Sequence, residues 1–153
     1  MKTILIASDH AGFSLKEKIK PYLQKQGFIF KDLGAYSKEC CDYPKFAAAL
    51  AKLISQGKYK RGILICKTGI GNSIIANRFP QARAALCYNV SASRLSRQHN
   101  DSNILVLGSF FVNEKLTKRI IRVWLNTEFI GGRHSRRLSQ IKNIERKIRG
   151  NRR

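Results

Sequence analysis

Gly62-Ile63-Leu64-Ile65-Cys66-Lys67-Thr68-Gly69-Ile70-Gly71-Asn72-Ser73 is the stretch whose reading decides the fold. Its first five residues are apolar almost throughout, with no polar alternation. That is the pattern of a strand covered on both faces, not of one with a wet side. Glycines follow at 69 and 71, and a short helical stretch resumes near Ile74. Glycine at a strand-to-helix turn lets backbone N–H groups come close to a ligand, and the helix start that follows favours negative charge. The turn lacks the Walker lysine spacing and the full GxGxxG pattern, so a nucleotide is poorly supported. A plain tight turn, with Cys66 merely buried at a strand end, is the competing explanation.

Outward from this stretch the same grammar repeats. Thr3-Ile4-Leu5-Ile6-Ala7 reads as a buried strand, and a helix runs from about Phe13 to Gln26 before Gly27 stops it. Phe28-Ile29-Phe30-Lys31-Asp32-Leu33 is a second strand, and a helix from about Pro44 to Gln56 leads into Gly62. Beyond the glycine turn come a strand at Ala84-Ala85-Leu86-Cys87, a helix near residues 92–98 and a strand at Ile104-Leu105-Val106-Leu107. A helix at Glu114–Leu125 and a basic C-terminal helix close the chain. Buried strands separated by helices predict an α/β fold: a doubly wound parallel sheet in a Rossmann-like three-layer sandwich. One domain over residues 1–153, ending in a basic helix and tail, is expected for this length.

Ligands in such sheets sit at the carboxyl ends of strands. Ser8-Asp9-His10 ends the first strand and Cys66-Lys67-Thr68 the third, where that rule wants polar groups. His99-Asn100-Asp101 instead shortly precedes the fifth strand. Each cluster alone has a plain alternative in a turn or a helix cap. Arg133 and Arg137, following Gly131-Gly132, stand one turn apart if helical. Such a pair suits a phosphate, and a solvated basic face is the alternative.

Composition narrows the class. With 43% hydrophobic residues the chain is globular. Its apolar N-terminal stretch is too short for a secretory signal, and no run reaches roughly 18 apolar residues, so a soluble cytoplasmic protein is expected. Cys40, Cys41, Cys66 and Cys87 show no paired spacing and read as free thiols. His10, His99 and His134 do not bracket them as zinc ligands would. The formal charge of +21, from 30 basic and 9 acidic residues, keeps nucleic acid under consideration. Most of the basic residues are scattered, and the dense run from Lys142 to Arg153 is either a solvated helix face or an anion-binding tail.

Taken together, Ser8-Asp9-His10-Ala11-Gly12-Phe13, Asp42-Tyr43-Pro44, Gly62-Ile63-Leu64-Ile65-Cys66, Thr68-Gly69-Ile70-Gly71, Ala76-Asn77, Arg97-Gln98-His99-Asn100-Asp101 and Gly131-Gly132-Arg133-His134 resemble the ribose-5-phosphate isomerase type B family. The resemblance runs from residue 3 to about residue 145, and the related galactose-6-phosphate isomerase subunits share much of it. It implies ring opening of a sugar phosphate and a proton shift between C1 and C2 through an enediolate, with no metal or organic cofactor. Cys66 would be the base, its thiolate favoured by a helix N-terminus or a nearby cation. Thr68 and the backbone of Gly69, Ile70 and Gly71 would hold the enediolate oxygen. His99 would assist ring opening, Asp9 and Asn100 would hold hydroxyls, and His10, Arg133 and Arg137 would grip the phosphate. The family completes its site across a dimer interface, so His99, Asn100 and some phosphate ligands are expected from a partner subunit, in a homodimer or a dimer of dimers.

Four positions depart from the pattern. Some relatives carry a carboxylate where this chain has Asn72, many carry glycine at Lys67, many an arginine at Phe110, and an aromatic residue is usual near Ser91. Three functions follow in order: a ribose 5-phosphate isomerase, an isomerase of a phosphorylated hexose such as galactose 6-phosphate or allose 6-phosphate, and a nucleic-acid-binding relative.

Overall fold

The runs that lack alternation form five strands, and the amphipathic stretches between them form helices, in a computed structural model that describes residues 3–150. The last three residues of the basic tail, 151–153, lie outside the described residues. The order is β1 (Thr3–Ser8), α1 (His10–Lys25), β2 (Ile29–Asp32), α2 (Tyr43–Ser55), β3 (Gly62–Cys66), α3 (Ile70–Ala76), β4 (Ala84–Leu86), α4 (Val90–Asn100), β5 (Ile104–Gly108), α5 (Glu114–Asn126) and α6 (Arg133–Gly150).

All strand pairs are parallel, in the order β2-β1-β3-β5-β4. The steps β1 to β2 and β4 to β5 move one way across the sheet, and the steps β2 to β3 and β3 to β4 move the other. Right-handed crossovers therefore put α1 and α4 on one face and α2 and α3 on the opposite one. The packing agrees. Ile4, Ile6, Ile63, Ile65, Leu105 and Leu107 face Leu15, Ile19 and Leu23 of α1 and Ile120, Ile121 and Trp124 of α5. Their alternate neighbours Leu5, Ala7, Leu64, Ile104 and Val106 face Ala47, Leu50, Ala51 and Ile54 of α2. Successive side chains of a strand point to opposite faces, so two cores explain the missing polar alternation. The doubly wound reading holds.

Two helix boundaries differ from the sequence expectation because of caps. Helix α1 starts at His10 instead of about Phe13, since the buried Asp9 carboxylate accepts the Gly12 N–H at 2.9 Å. Helix α4 spans Val90–Asn100 instead of residues 92–98, with Asn89 capping its start and Asp101, left-handed at φ 44°, ending it.

Beneath the carboxyl edge of β2 lies a buried cation. Lys16 is fully buried in α1, and its Nζ lies 2.6 Å from both the Asp32 carboxylate and the Ala35 carbonyl. Helix α6 is largely exposed. It leans on the amino edge of the sheet, where Glu145 accepts the Gln81 N–H just before β4. No helix among the described residues is long and apolar enough to cross a membrane.

Candidate active site

A topological switch lies between β1 and β3, the adjacent strands from which the chain first turns in opposite directions. Both strands end there in polar residues. The Asp9 N–H reaches the Ile65 carbonyl at 3.3 Å, and a Cβ on Gly12 would run into that same carbonyl, so α1 starts hard against the end of β3. The carboxyl ends of β1 and β3 thus share one cleft of about 390 Å³, lined by Asp9, Tyr43, Cys66, Lys67, Thr68, Ile70, Gly71 and Ile74. A larger hollow of about 640 Å³ near Thr3, Lys58 and Asn126 opens at the amino edge. It holds no nucleophile or base placed at a strand end, so chemistry rather than size selects the Cys66 cleft.

The Cys66 sulfur accepts the Gly69 N–H at 3.2 Å, with the backbone N–H groups of Asn72 and Thr68 also bearing on it. Gly69 takes φ +81°, the left-handed turn that aims its amide back at the sulfur, and a Cβ there would meet Leu86. Burial nevertheless dominates and pushes the thiol above its ordinary value of 9.0; the amides oppose this, and the Asp9 carboxylate reinforces it. The amides at the helix start favour the thiolate, as expected, but among the described residues of the single chain no cation joins them, and burial outweighs them. A sulfur with 4% exposure loses more to desolvation than three amides return.

The remaining predicted residues divide by place. Thr68 lines the cleft, and its Oγ1 accepts the Ile70 N–H at 3.3 Å. His10, in the first turn of α1, has Nδ1 at 3.0 Å from the Cys41 carbonyl and 3.1 Å from the Cys41 N–H, donating or accepting according to its tautomer. His99, Asn100, Arg133 and Arg137 do not line the Cys66 cleft. Helix α4 runs back across the sheet, so His99 and Asn100 at its end reach the amino edge, as α6 does. There the His99 ring stacks on His134, centroids 4.2 Å apart, with Arg133 and Arg137 exposed alongside. His134 is buried, and desolvation, His99 and the two arginines hold its imidazole below the usual histidine range.

Arg97 fixes this second cluster. Its buried guanidinium donates to Asp101 at 2.6 Å and to the Ser102 carbonyl at 2.7 Å, pinning the end of α4. A single chain thus carries two clusters of predicted site residues on opposite edges of its sheet. Helix α4, about 16 Å long at 1.5 Å per residue, spans the sheet between those edges.

Comparison with known proteins decides the family. The model of the Ribose/Galactose Isomerase family matches residues 4–141. Ribose-5-phosphate isomerase B of Escherichia coli is 43% identical over 147 residues, covering 96% of this chain and 99% of that protein. The chain belongs to the ribose/galactose isomerase family. Ribose-5-phosphate isomerase B of Clostridium thermocellum superposes with a TM-score of 0.93 at 45% identity, over 95% of this chain and 99% of its own. The enzyme from Mycoplasma genitalium, solved with bound ribulose-5-phosphate, superposes with a TM-score of 0.90 at 38% identity, over 94% and 96% of the two chains.

Sequence reading of this ribose/galactose isomerase left several cleft residues without a role. Tyr43 was quoted only within a motif, yet it lines the cleft, and a Cβ on Gly71 would collide with its ring. Ile70 and Ile74, one turn apart on α3, are half exposed at the cleft. The Tyr88 hydroxyl donates to the Thr68 carbonyl at 2.8 Å and steadies the turn from outside. Asn72 is buried with its Oδ1 unpartnered. Among the described residues no cluster of three or more histidine, cysteine or acidic side chains suits a metal ion.

Proposed function

We propose that this ribose/galactose isomerase interconverts ribose 5-phosphate and ribulose 5-phosphate, with Cys66 moving the proton between C1 and C2. The observation that carries this is the Cys66 sulfur at the switch point, facing a cleft and ringed by backbone donors. A base that takes a carbon-bound proton needs a neighbouring donor for the charge appearing on the substrate oxygen. The Gly71 amide, with the Thr68 hydroxyl that accepts the Ile70 N–H, suits that enediolate. Asp9 is set to hold a hydroxyl as well as to cap α1.

His99, assigned to ring opening, Asn100, assigned to a hydroxyl, and Arg133 and Arg137, assigned to the phosphate, lie at the opposite edge, whereas His10, the third phosphate residue, stands at the carboxyl edge at the start of α1. One chain therefore cannot assemble the reaction. A symmetric pair can, because a two-fold axis that brings the amino edge of one copy to the carboxyl edge of the other creates two composite sites. Exposed Ile70 and Ile74 at one edge and Ile130, Ile141 and Ile144 at the other supply apolar surface for such contact. Pairing also brings the partner's arginines to the cleft, cations that would draw the Cys66 thiol back toward ionisation. A cytoplasmic homodimer, one domain per subunit, with no cofactor, completes the proposal.

Replacing Cys66 by Ala is expected to lower turnover of ribose 5-phosphate by about a thousandfold while the fold and the substrate KM persist. Near-normal turnover would remove Cys66 as the base. Running galactose 6-phosphate and allose 6-phosphate in parallel tests the alternative of a hexose substrate. Binding to RNA that survives moderate salt would point to the nucleic-acid alternative.

A further inference from the structure

The cleft has charges at different depths. Asp9 is buried beside the sulfur, with 6% exposure, and Lys67 is exposed at the opening. They are the carboxylate and the ammonium among the lining residues. A ligand with a doubly negative end and a neutral end meets repulsion below and attraction above. It enters neutral end first.

Lys67 is also held in place more firmly than an ordinary surface lysine. Its carbonyl accepts the Phe110 N–H at 2.9 Å, and the preceding Cys66 carbonyl accepts the Ser109 N–H at 2.9 Å, so the turn after β3 is zipped to the turn after β5. The Ser109 hydroxyl donates to the Ala11 carbonyl at 3.0 Å and ties in the start of α1. The Lys67 ammonium lies 6.0 Å from the centre of the Phe110 ring. That ring is 71% exposed and has no place in either core, which a role in packing leaves unexplained. It stands edge-on to Phe111 at 5.2 Å; Phe111 lies 4.8 Å from Tyr88, whose hydroxyl holds Thr68. The aromatic file braces a platform beside the opening, and a cation over a ring face is attracted to it.

We infer that Lys67, seated on Phe110, is the cation this chain contributes to the phosphate end of its substrate, and that it orients the sugar with its reacting carbons toward Cys66. The inference rests on the sugar-phosphate reading and adds a residue which that reading leaves unassigned. Lys67→Met is expected to raise the KM for ribose 5-phosphate about tenfold with kcat largely kept, and Lys67→Arg to restore it to within about threefold. Phe110→Leu, which removes the ring but keeps the bulk, is expected to raise KM about two- to fivefold.

A second measurement needs no turnover. Inorganic phosphate should protect Cys66 from iodoacetamide, followed on the Cys66 peptide by mass spectrometry, and Lys67→Met should raise the half-protecting concentration about tenfold. Unchanged KM and unchanged protection in Lys67→Met would overturn the inference, as would a fall in kcat alone, which would place the lysine at the reacting end. An unchanged KM in Phe110→Leu would remove the ring from it. If the wild-type protein fails to convert ribose 5-phosphate, the isomerase reading falls, and phosphate protection still decides Lys67.

Discussion

Cys66 stands between opposing influences, and their balance is measurable. Burial and the Asp9 carboxylate hold the proton on sulfur, while the amides of Gly69, Asn72 and Thr68 favour its loss. Asp9→Asn removes the charge but keeps the cap, because asparagine serves the start of a helix as well as aspartate does. The sign is fixed: with the negative neighbour gone, the thiolate is less disfavoured and the thiol pKa falls. The pH midpoint for alkylation of Cys66 is therefore expected to move down in Asp9→Asn; an unmoved or raised midpoint would show that Asp9 does not act on the sulfur. At this scale the sequence named Cys66, Asp9 and Thr68 correctly as neighbours, because strand ends and glycine turns are written locally. It did not give the direction of the thiol shift. That depends on how deeply packing buries the sulfur and on the Asp9 carboxylate, fifty-seven residues away in sequence. Lys67 and Phe110 stood out only as departures from a pattern, since their pairing is made by two turns more than forty residues apart in sequence.

Among the elements, α1 carries both a predicted site residue, His10, and the fully buried charge of Lys16. Lys16 is wholly buried and is neutralised by Asp32 across the sheet edge, with Lys20 sharing the other carboxylate oxygen at 3.1 Å. Burial works against ionising Asp32, but hydrogen bonds from Lys16, the Gly34 N–H and Lys20 together overcome it and hold the carboxyl below its ordinary 3.8. A depressed carboxyl contributes stability that is present above the ordinary value and is lost as pH falls through the lowered one. Asp32→Asn would leave the Lys16 charge buried without its counter-ion, at a cost of about 3–5 kcal/mol. Urea unfolding at pH 7 is expected to show that loss, and the gap between mutant and wild type should narrow as pH falls below 3.8 and Asp32 takes up its proton. A gap that stays constant with pH would mean that the pair is not what holds the helix. The order and type of all eleven elements were legible, because unbroken apolar runs and amphipathic stretches alternate cleanly. The starts of α1 and α4 were not, because side-chain caps at Asp9 and Asn89 extend a helix beyond its apolar pattern.

Over the whole molecule the two clusters face opposite ways, and with the proposed pairing this makes a prediction about mixtures. Purified Cys66→Ala and His99→Ala chains should each be nearly inactive. Unfolded together and refolded, half of the dimers are mixed at random, and each mixed dimer holds one intact composite site of two. Activity should return to about a quarter of wild type. No recovery would mean that the residues act within one chain, against the separation across the sheet. The sequence revealed both halves as motifs. Their separation follows from topology: β4 and β5 are parallel neighbours, so α4 must run back to the amino edge to connect them. No local pattern encodes that.

The strand order, with α4 returning to the far rim, has a consequence for timing. Under the proposed pairing, a newly synthesised copy folds into a complete sheet and still lacks chemistry, since each rim waits for its counterpart on another molecule. When copies are scarce, encounters rise with the square of their number, so output climbs more steeply than synthesis and fades faster than the pool is depleted.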